Sequence, residues 1–282
     1  MRPVLVIAGS SVREASRRWI VAAFVAITVV LVSLSAWGFD KLSHTSSLTS
    51  GEEQISIPQA MILFMFMFSF VVALSASAMA SPAIASDAES GVLQTIVTRP
   101  IRRYQLMLGK WLGLASVVFA YAAIVTALEV GVVYWVSGFV PPNPVAVGLY
   151  LFAEGLMLLT LALLLSTRLS AIAAGVVGIA IFGGSWLAGV VGALGSVFNI
   201  SALRTIGQVA RYLVPTDGLW HGAIYYLEPQ TFLSIRLANN PEEGGNPFFS
   251  QSAPSWTYLL WVLVWLIGVL AIGIRSFERR EL

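Results

Sequence analysis

Two acids stand inside runs that are otherwise apolar: Glu129 within ASVVFAYAAIVTALEVGVVYW and Glu154 within GLYLFAEGLMLLTLALLL. Ionisable groups at such places face a cavity or a polar partner and are candidates for a substrate or ion path. Read along helices, the two sit at nearly the same depth, about 10–12 Å from one end of their runs. Two carboxyls brought together there favour a bound cation or a shared proton. The plain alternative is a pair of protonated side chains bonded to Tyr121, Tyr134 or Tyr150, with no role beyond structure. Other chemistry is scarce. The chain has no cysteine, which excludes disulfides, thiolate metal sites and cysteine nucleophiles. Its two histidines, His44 and His221, lack zinc spacing. It carries neither a G-x-x-x-x-G-K-[ST] phosphate loop nor a G-x-S-x-G motif, so catalysis is not expected of this chain.

A second stretch could do mechanical rather than catalytic work: SDAESGVLQTIVTRPIRRYQLMLGKW, residues 86–111. Ser86 and Glu89 have the S-x-x-E spacing of a capping box, which starts a helix by satisfying backbone donors. Asp87 and Glu89 then lie at the positive end of that helix's dipole. Val92, Leu93, Ile96 and Val97 form one narrow apolar stripe, and Pro100 ends the helix at Arg99. Arg102, Arg103 and Lys110 hold the mouth of the next apolar run at the membrane surface. The result is a short rigid helix tied to a membrane span at each end. It either rests on lipid or receives a push from a partner.

The elements that must position these residues follow from composition. The chain is 57% hydrophobic and 11% charged, against roughly 25% charged in a soluble domain. Apolar runs of about 20 residues match roughly 30 Å of hydrocarbon. Spans are expected at 19–38, 58–79, 107–136, 146–167, 171–198 and 256–275, giving an all-α polytopic membrane protein of a single domain, 1–282. An even number of spans puts both termini on one side. That side carries twelve Lys and Arg (Arg2, 13, 17, 18, 99, 102, 103, 168, 275, 279, 280 and Lys110) against four opposite (Lys41, Arg204, Arg211, Arg236), and is cytoplasmic by the positive-inside rule. The basic balance is therefore a matter of orientation, and no nucleic-acid partner is expected. A cleaved signal sequence, with Ser33 and Ser35 before the cut, is the lesser reading of the first run; an uncleaved span is expected.

Residues 1–18 read as an amphipathic helix lying at the inner surface, with Val4, Ile7, Ala8, Val12, Ala15 and Trp19 on one face. The fifth run contains Gly184, Ala188 and Gly192 at four-residue spacing, a small-residue face for helix packing within the chain or against a second copy. Between the fifth and sixth runs, residues 199–255 hold two amphipathic helices at the outer surface. The first carries Ile200, Leu203, Ile206, Ala210 and Leu213. The second starts at an Asp217 cap and carries Trp220, Ile224 and Leu227. They cover a pathway exit, dock an extracytoplasmic partner, or simply float at the lipid boundary.

The order of these elements resembles an ABC-2 type transporter permease, and within that class the six-span, single-domain subunits such as the nitrous-oxide-reductase maturation permease. The residues that carry the resemblance are Glu89-Ser90-Gly91-Val92-Leu93, Pro100-Ile101 and Leu108-Gly109-Lys110, with Val214-Pro215-Thr216-Asp217 similar to an Asn-Pro-Thr-Asp element. The chain departs from the family at Val92, where Thr is common, and at Val214. The resemblance implies that the 81–105 region is a coupling helix docking on an ATPase subunit through Asp87, Glu89, Gly91, Val92, Leu93, Ile96 and Arg99, with Arg168 in a smaller second contact. It implies two copies of a separate ATPase subunit holding ATP and Mg, no cofactor in this chain, and a second permease subunit, as a homodimer, in a prokaryotic cytoplasmic membrane. The expected function is an exporter permease. The alternatives are a mechanotransmitting subunit that drives an outer partner, or an ion-coupled secondary transporter. The last predicts internal repeats, and none is visible.

Overall fold

Caps written in the sequence fix the ends of the spans. In the computed structural model, residues 2–44, 50–89, 102–229 and 246–279 are described. They form α1 (Arg2–Arg17), α2 (Trp19–Ser43), α3 (Ser50–Ala80), α4 (Pro82–Glu89) and α5 (Arg103–Ser137). After these come α6 (Pro144–Ser166), α7 (Ala171–Val197), α8 (Ser201–Leu213), α9 (Thr216–Leu227) and α10 (Trp256–Glu278). Asn143 caps α6 by accepting from the Ala146 amide at 3.0 Å, with Pro144 in the first turn, where its missing N–H costs nothing. Ser255 does the same for Tyr258 at 3.2 Å at the start of α10. Gly138 ends α5 in the left-handed region at φ 72°, a conformation cheap only for glycine.

Six stretches of helix are long and apolar enough to cross a membrane. They agree with the expected spans to within a few residues, apart from the second, which runs on at both ends. α6 lies at the centre, packed on α3, α5, α7, α9 and α10. Apart from Glu154 and Thr160 its buried middle is apolar on every side, as suits a helix packed among others. Gly155 lets α6 approach α3 and α5 closely: a Cβ there would stand 2.8 Å from both Val118 and Val72. α2 is peripheral, and its buried residues are Thr28, Ser35 and Phe39.

The start of α5 and the end of α10 share one end of the bundle, since Arg103 donates to the carbonyls of Phe277 and Glu278 at 3.3 and 3.0 Å. α1, which packs on the first turns of α5, lies at the same end. α5 would extend about 52 Å at about 1.5 Å per residue, so it outruns the hydrocarbon. Its first turns receive α1. The expected apolar face of α1 is the one turned inward, with Ala15 buried and Ile7, Ala8 and Val12 half-buried. It rests on protein rather than lipid: Gly109 and Gly113 bring α5 against Ile7, Ala8 and Ser11. Trp19 departs from that face, being exposed at the start of α2.

At the far end, α8 folds back along α7 through a backbone seam in which Gly192 and Gly207 meet. α9 corrects an expectation. It is not a surface helix: Leu219, Trp220, Ala223, Ile224 and Leu227 are all buried. Gly218 and Gly222 thin its other side, so Tyr258 and Tyr150 pack directly on its backbone. A helix with an apolar stripe and two glycines that admit neighbouring rings can nest between spans. Its N-cap is Pro215, and Asp217 lies in the first turn.

The α1 seam gives a direct test. A Cβ at Gly113 would stand 2.5 Å from the Ala8 carbonyl oxygen, whereas one at Gly131 meets nothing within 4 Å. Gly113→Ala should lower stability by about 1–3 kcal/mol, the usual cost of overpacking, and expose Arg13 and Arg17 to trypsin. Gly131→Ala should do neither. Equal thermal midpoints and equal cleavage would refute the seam.

Candidate functional site

The site builds from the junction of α3, α4 and α5. Ser81 closes a continuing helical bond to the Ser77 carbonyl at 2.9 Å, and Pro82 starts α4 at once. The chain thus enters α4 four residues before Ser86, which corrects the capping-box expectation. Ser86 sits inside the helix and donates to the Pro82 carbonyl, the back-bond a serine makes when it is not a cap. The S-x-x-E pattern was a local signature without knowledge of where helix geometry had already begun.

Asp87 therefore does not sit at the positive end of a helix. Its charge is met by Lys110 of α5, whose ammonium donates to both the Asp87 carboxylate and the Ala83 carbonyl. Lys110 is buried, not held at the surface as its basic neighbourhood suggested, and Asp87 is mostly covered. A buried ammonium is costly unless paired and hydrogen-bonded, and here two acceptors on successive turns of one helix supply that pairing. The pair welds α4 to α5. The α4 backbone is described through Glu89; Gly91, Val92, Leu93, Ile96 and Arg99 lie outside the described residues.

Arg168, in the α6–α7 turn, is exposed, and its guanidinium reaches the end of α10, donating from Nε to Ser276 Oγ at 3.0 Å and from Nη2 to the Ser276 carbonyl at 3.4 Å. Thr167 shares the same hydroxyl at 2.8 Å. With Arg103 on Phe277 and Glu278, two guanidiniums serve the carbonyl-rich end of α10. Cations stabilise that end of a helix dipole, and carbonyls there have no partner within the helix. The first residue of α5, the turn before α7 and the last turn of α10 thus form one polar surface at the bundle end that also holds the Lys110 weld.

The two intramembrane acids are real but differently partnered than expected. Ser35 of α2 donates to Glu129 Oε1 at 2.8 Å, and Glu129 Oε2 is buried without a partner. Ser69 of α3 donates to Glu154 Oε2 at 2.6 Å. The tyrosines do other work: Tyr121 bonds Thr28, and Tyr150 stacks on Tyr226 at 5.9 Å. Each acid is bonded from a different span. Serines carry no helical signature in an apolar run, which is why neither partner was foreseen. Of the small-residue face of α7, Ala188 and Gly192 meet Gly207 within the chain, and Gly184 faces open space.

The model of the ABC-2 family transporter proteins matches residues 5–282. The chain belongs to that family, and is a multi-pass membrane permease subunit of an ABC transporter. No protein of curated function matches it.

The weld predicts a specific stability pattern. Lys110→Met should cost about 3 kcal/mol, because removing one partner strands a largely buried charge. Combining it with Asp87→Leu should recover much of that loss. Thermal unfolding of the three variants in one detergent checks it; additive losses would mean that the pair carries no coupling.

Proposed function

We propose that this permease couples ATP hydrolysis, by two copies of a separate ATPase subunit that hold ATP and Mg, to export. It works as a homodimer in a prokaryotic cytoplasmic membrane with both termini inside. The single observation that carries the reading is the weld of Lys110 to Asp87 and Ala83, beneath a family match along nearly the whole chain. The 81–105 region is entered through α4, and α4 is locked to α5. A push received there moves the ends of two spans together instead of being absorbed by a loose loop. Glu89, Gly91, Val92, Leu93, Ile96 and Arg99 are the proposed grip. Asp87 is a positioning residue in this scheme, holding α4 rather than touching the ATPase. Arg168 ties the second contact to α10, so both contacts reach the same bundle end. The charge asymmetry of twelve against four supports the orientation.

Glu129 and Glu154 act as pins between spans. A specific observation favours a second reading for Glu129: its free, buried Oε2 would suit a passing polar group, placing it on the substrate path. The mechanotransmitting alternative draws on α9, whose burial gives movement of the bundle a direct route to the far end.

Two measurements test these proposals. Glu89→Lys combined with Leu93→Asp should abolish recovery of the ATPase subunit with the tagged permease, or leave its ATPase activity uncoupled; stoichiometric recovery with normal coupling would sink the grip. Glu129→Gln with Glu154→Gln keeps an acceptor for each serine, so the fold should survive. Transport by the reconstituted complex at the wild-type rate across pH would leave the acids as pins; a fall in rate with the thermal midpoint unchanged would put them on the path.

A further inference from the structure

Helix α8 carries Arg204, Gln208 and Arg211 at i, i+4 and i+7, while Ile206, Val209 and Leu213 stand exposed on the opposite face. The Gly192–Gly207 seam fixes its rotation, and turns the guanidinium stripe into a polar cavity of about 300 Å³ between α7, α8, α9 and residues 246–252. Asp217 and His221 of α9 line another wall of that cavity. The Asp217 carboxylate is buried, pressed on Gly189, and has the His221 ring beside it, with Nδ1 at 3.6 Å from the carboxylate and 2.9 Å from the Asp217 carbonyl.

The arginines have no such partner. Among the described residues neither guanidinium has a carboxylate within 4 Å, and Nε of each is buried without an acceptor. Arg204 bonds Asn199 at 3.1 Å, and Arg211 stacks on Tyr258 at 5.6 Å, so both are held in place with donors to spare. Among the described residues, two guanidiniums stand against one carboxylate in the cavity, a surplus of positive charge. Forked N–H donors of this kind match the oxygens of phosphate.

The depth of the cavity says where that phosphate comes from. Trp261 and Trp265 of α10 donate to the carbonyls of Tyr212 and Leu213 at 2.9 and 2.8 Å. Those tryptophans lie five and nine residues into a span that begins at Trp256, about 8–14 Å below its start. The end of α8 therefore dips to the level where headgroups meet acyl chains, with its apolar face outward.

We propose that this cavity binds a phosphate-class oxyanion, supplied by the headgroup of an anionic lipid amphiphile, between Arg204 and Arg211. The site is independent of the ATPase partner. The test uses the full chain purified in detergent and native mass spectrometry, with phosphatidic acid as probe, diacylglycerol of the same chains as its phosphate-free control, and thermal shift with inorganic phosphate as the soluble arm. Phosphatidic acid should be retained over diacylglycerol. Arg204→Gln with Arg211→Gln should weaken that retention by about tenfold or more, as expected for losing charge-assisted bonds, while Arg13→Gln at the other end of the bundle changes nothing. If the double variant fails to fold, each single variant is read the same way, beside the wild-type comparison of the two lipids. Equal retention of the two lipids with no shift by phosphate overturns the site; a shift by phosphate with equal lipid retention overturns the lipid source.

Discussion

Moving a leucine from lipid to the side of another leucine gains almost nothing, so spans in a bilayer cannot be held together as the core of a soluble protein is. This permease is organised around that constraint. Its spans are joined by hydroxyls, carboxyls and indoles that reach across: Thr28 to Tyr121, Ser35 to Glu129, Ser69 to Glu154, and Trp111 to Thr160 at 2.9 Å. Beside such pairs at Gly155, and also at the Gly192–Gly207 seam, glycine brings helices close enough for dispersion to act. Intramembrane acids in such a framework do not announce chemistry by their presence alone. Their meaning depends on whether both oxygens are engaged.

The end that holds α1 and the last turn of α10 uses a different force. There water is near, and charge does the joining: the Lys110 ammonium with Asp87, and two guanidiniums on the last carbonyls of α10. These contacts link α4 to α5, the start of α5 to α10, and the α6–α7 turn to α10. The bundle thus has charged joints at this end and hydroxyl, carboxyl and indole joints further in.

Much of this was legible in the residues. Hydropathy and length placed the spans because a membrane imposes both at once, and the inward face of α1 could be read from Val4 to Ala15 because its period is plainly helical. What failed did so for identifiable reasons. Ser86 and Glu89 fit a capping box, but a cap pattern is local and says nothing of a helix already begun at Pro82. The apolar residues of α9 were counted correctly, yet burial depended on the glycines between them. The partners of Glu129 and Glu154 are residues 94 and 85 positions away, a distance no local pattern reports. The exposed, apolar α8 was read correctly as amphipathic, but the direction of its arginines needed the seam with α7.

One feature of α2 bears on how the protein is made. Its hydroxyls meet their partners in α5 only after more than ninety further residues have been added, as the separations of 93 and 94 positions require. Thr28 also donates to the Phe24 carbonyl at 2.8 Å within its own helix, so the nascent span carries an internal acceptor for that group. In the Ser35–Glu129 pair the hydroxyl stands on the span synthesised first and the acid on a later one, so the acid joins the bundle with its donor already made.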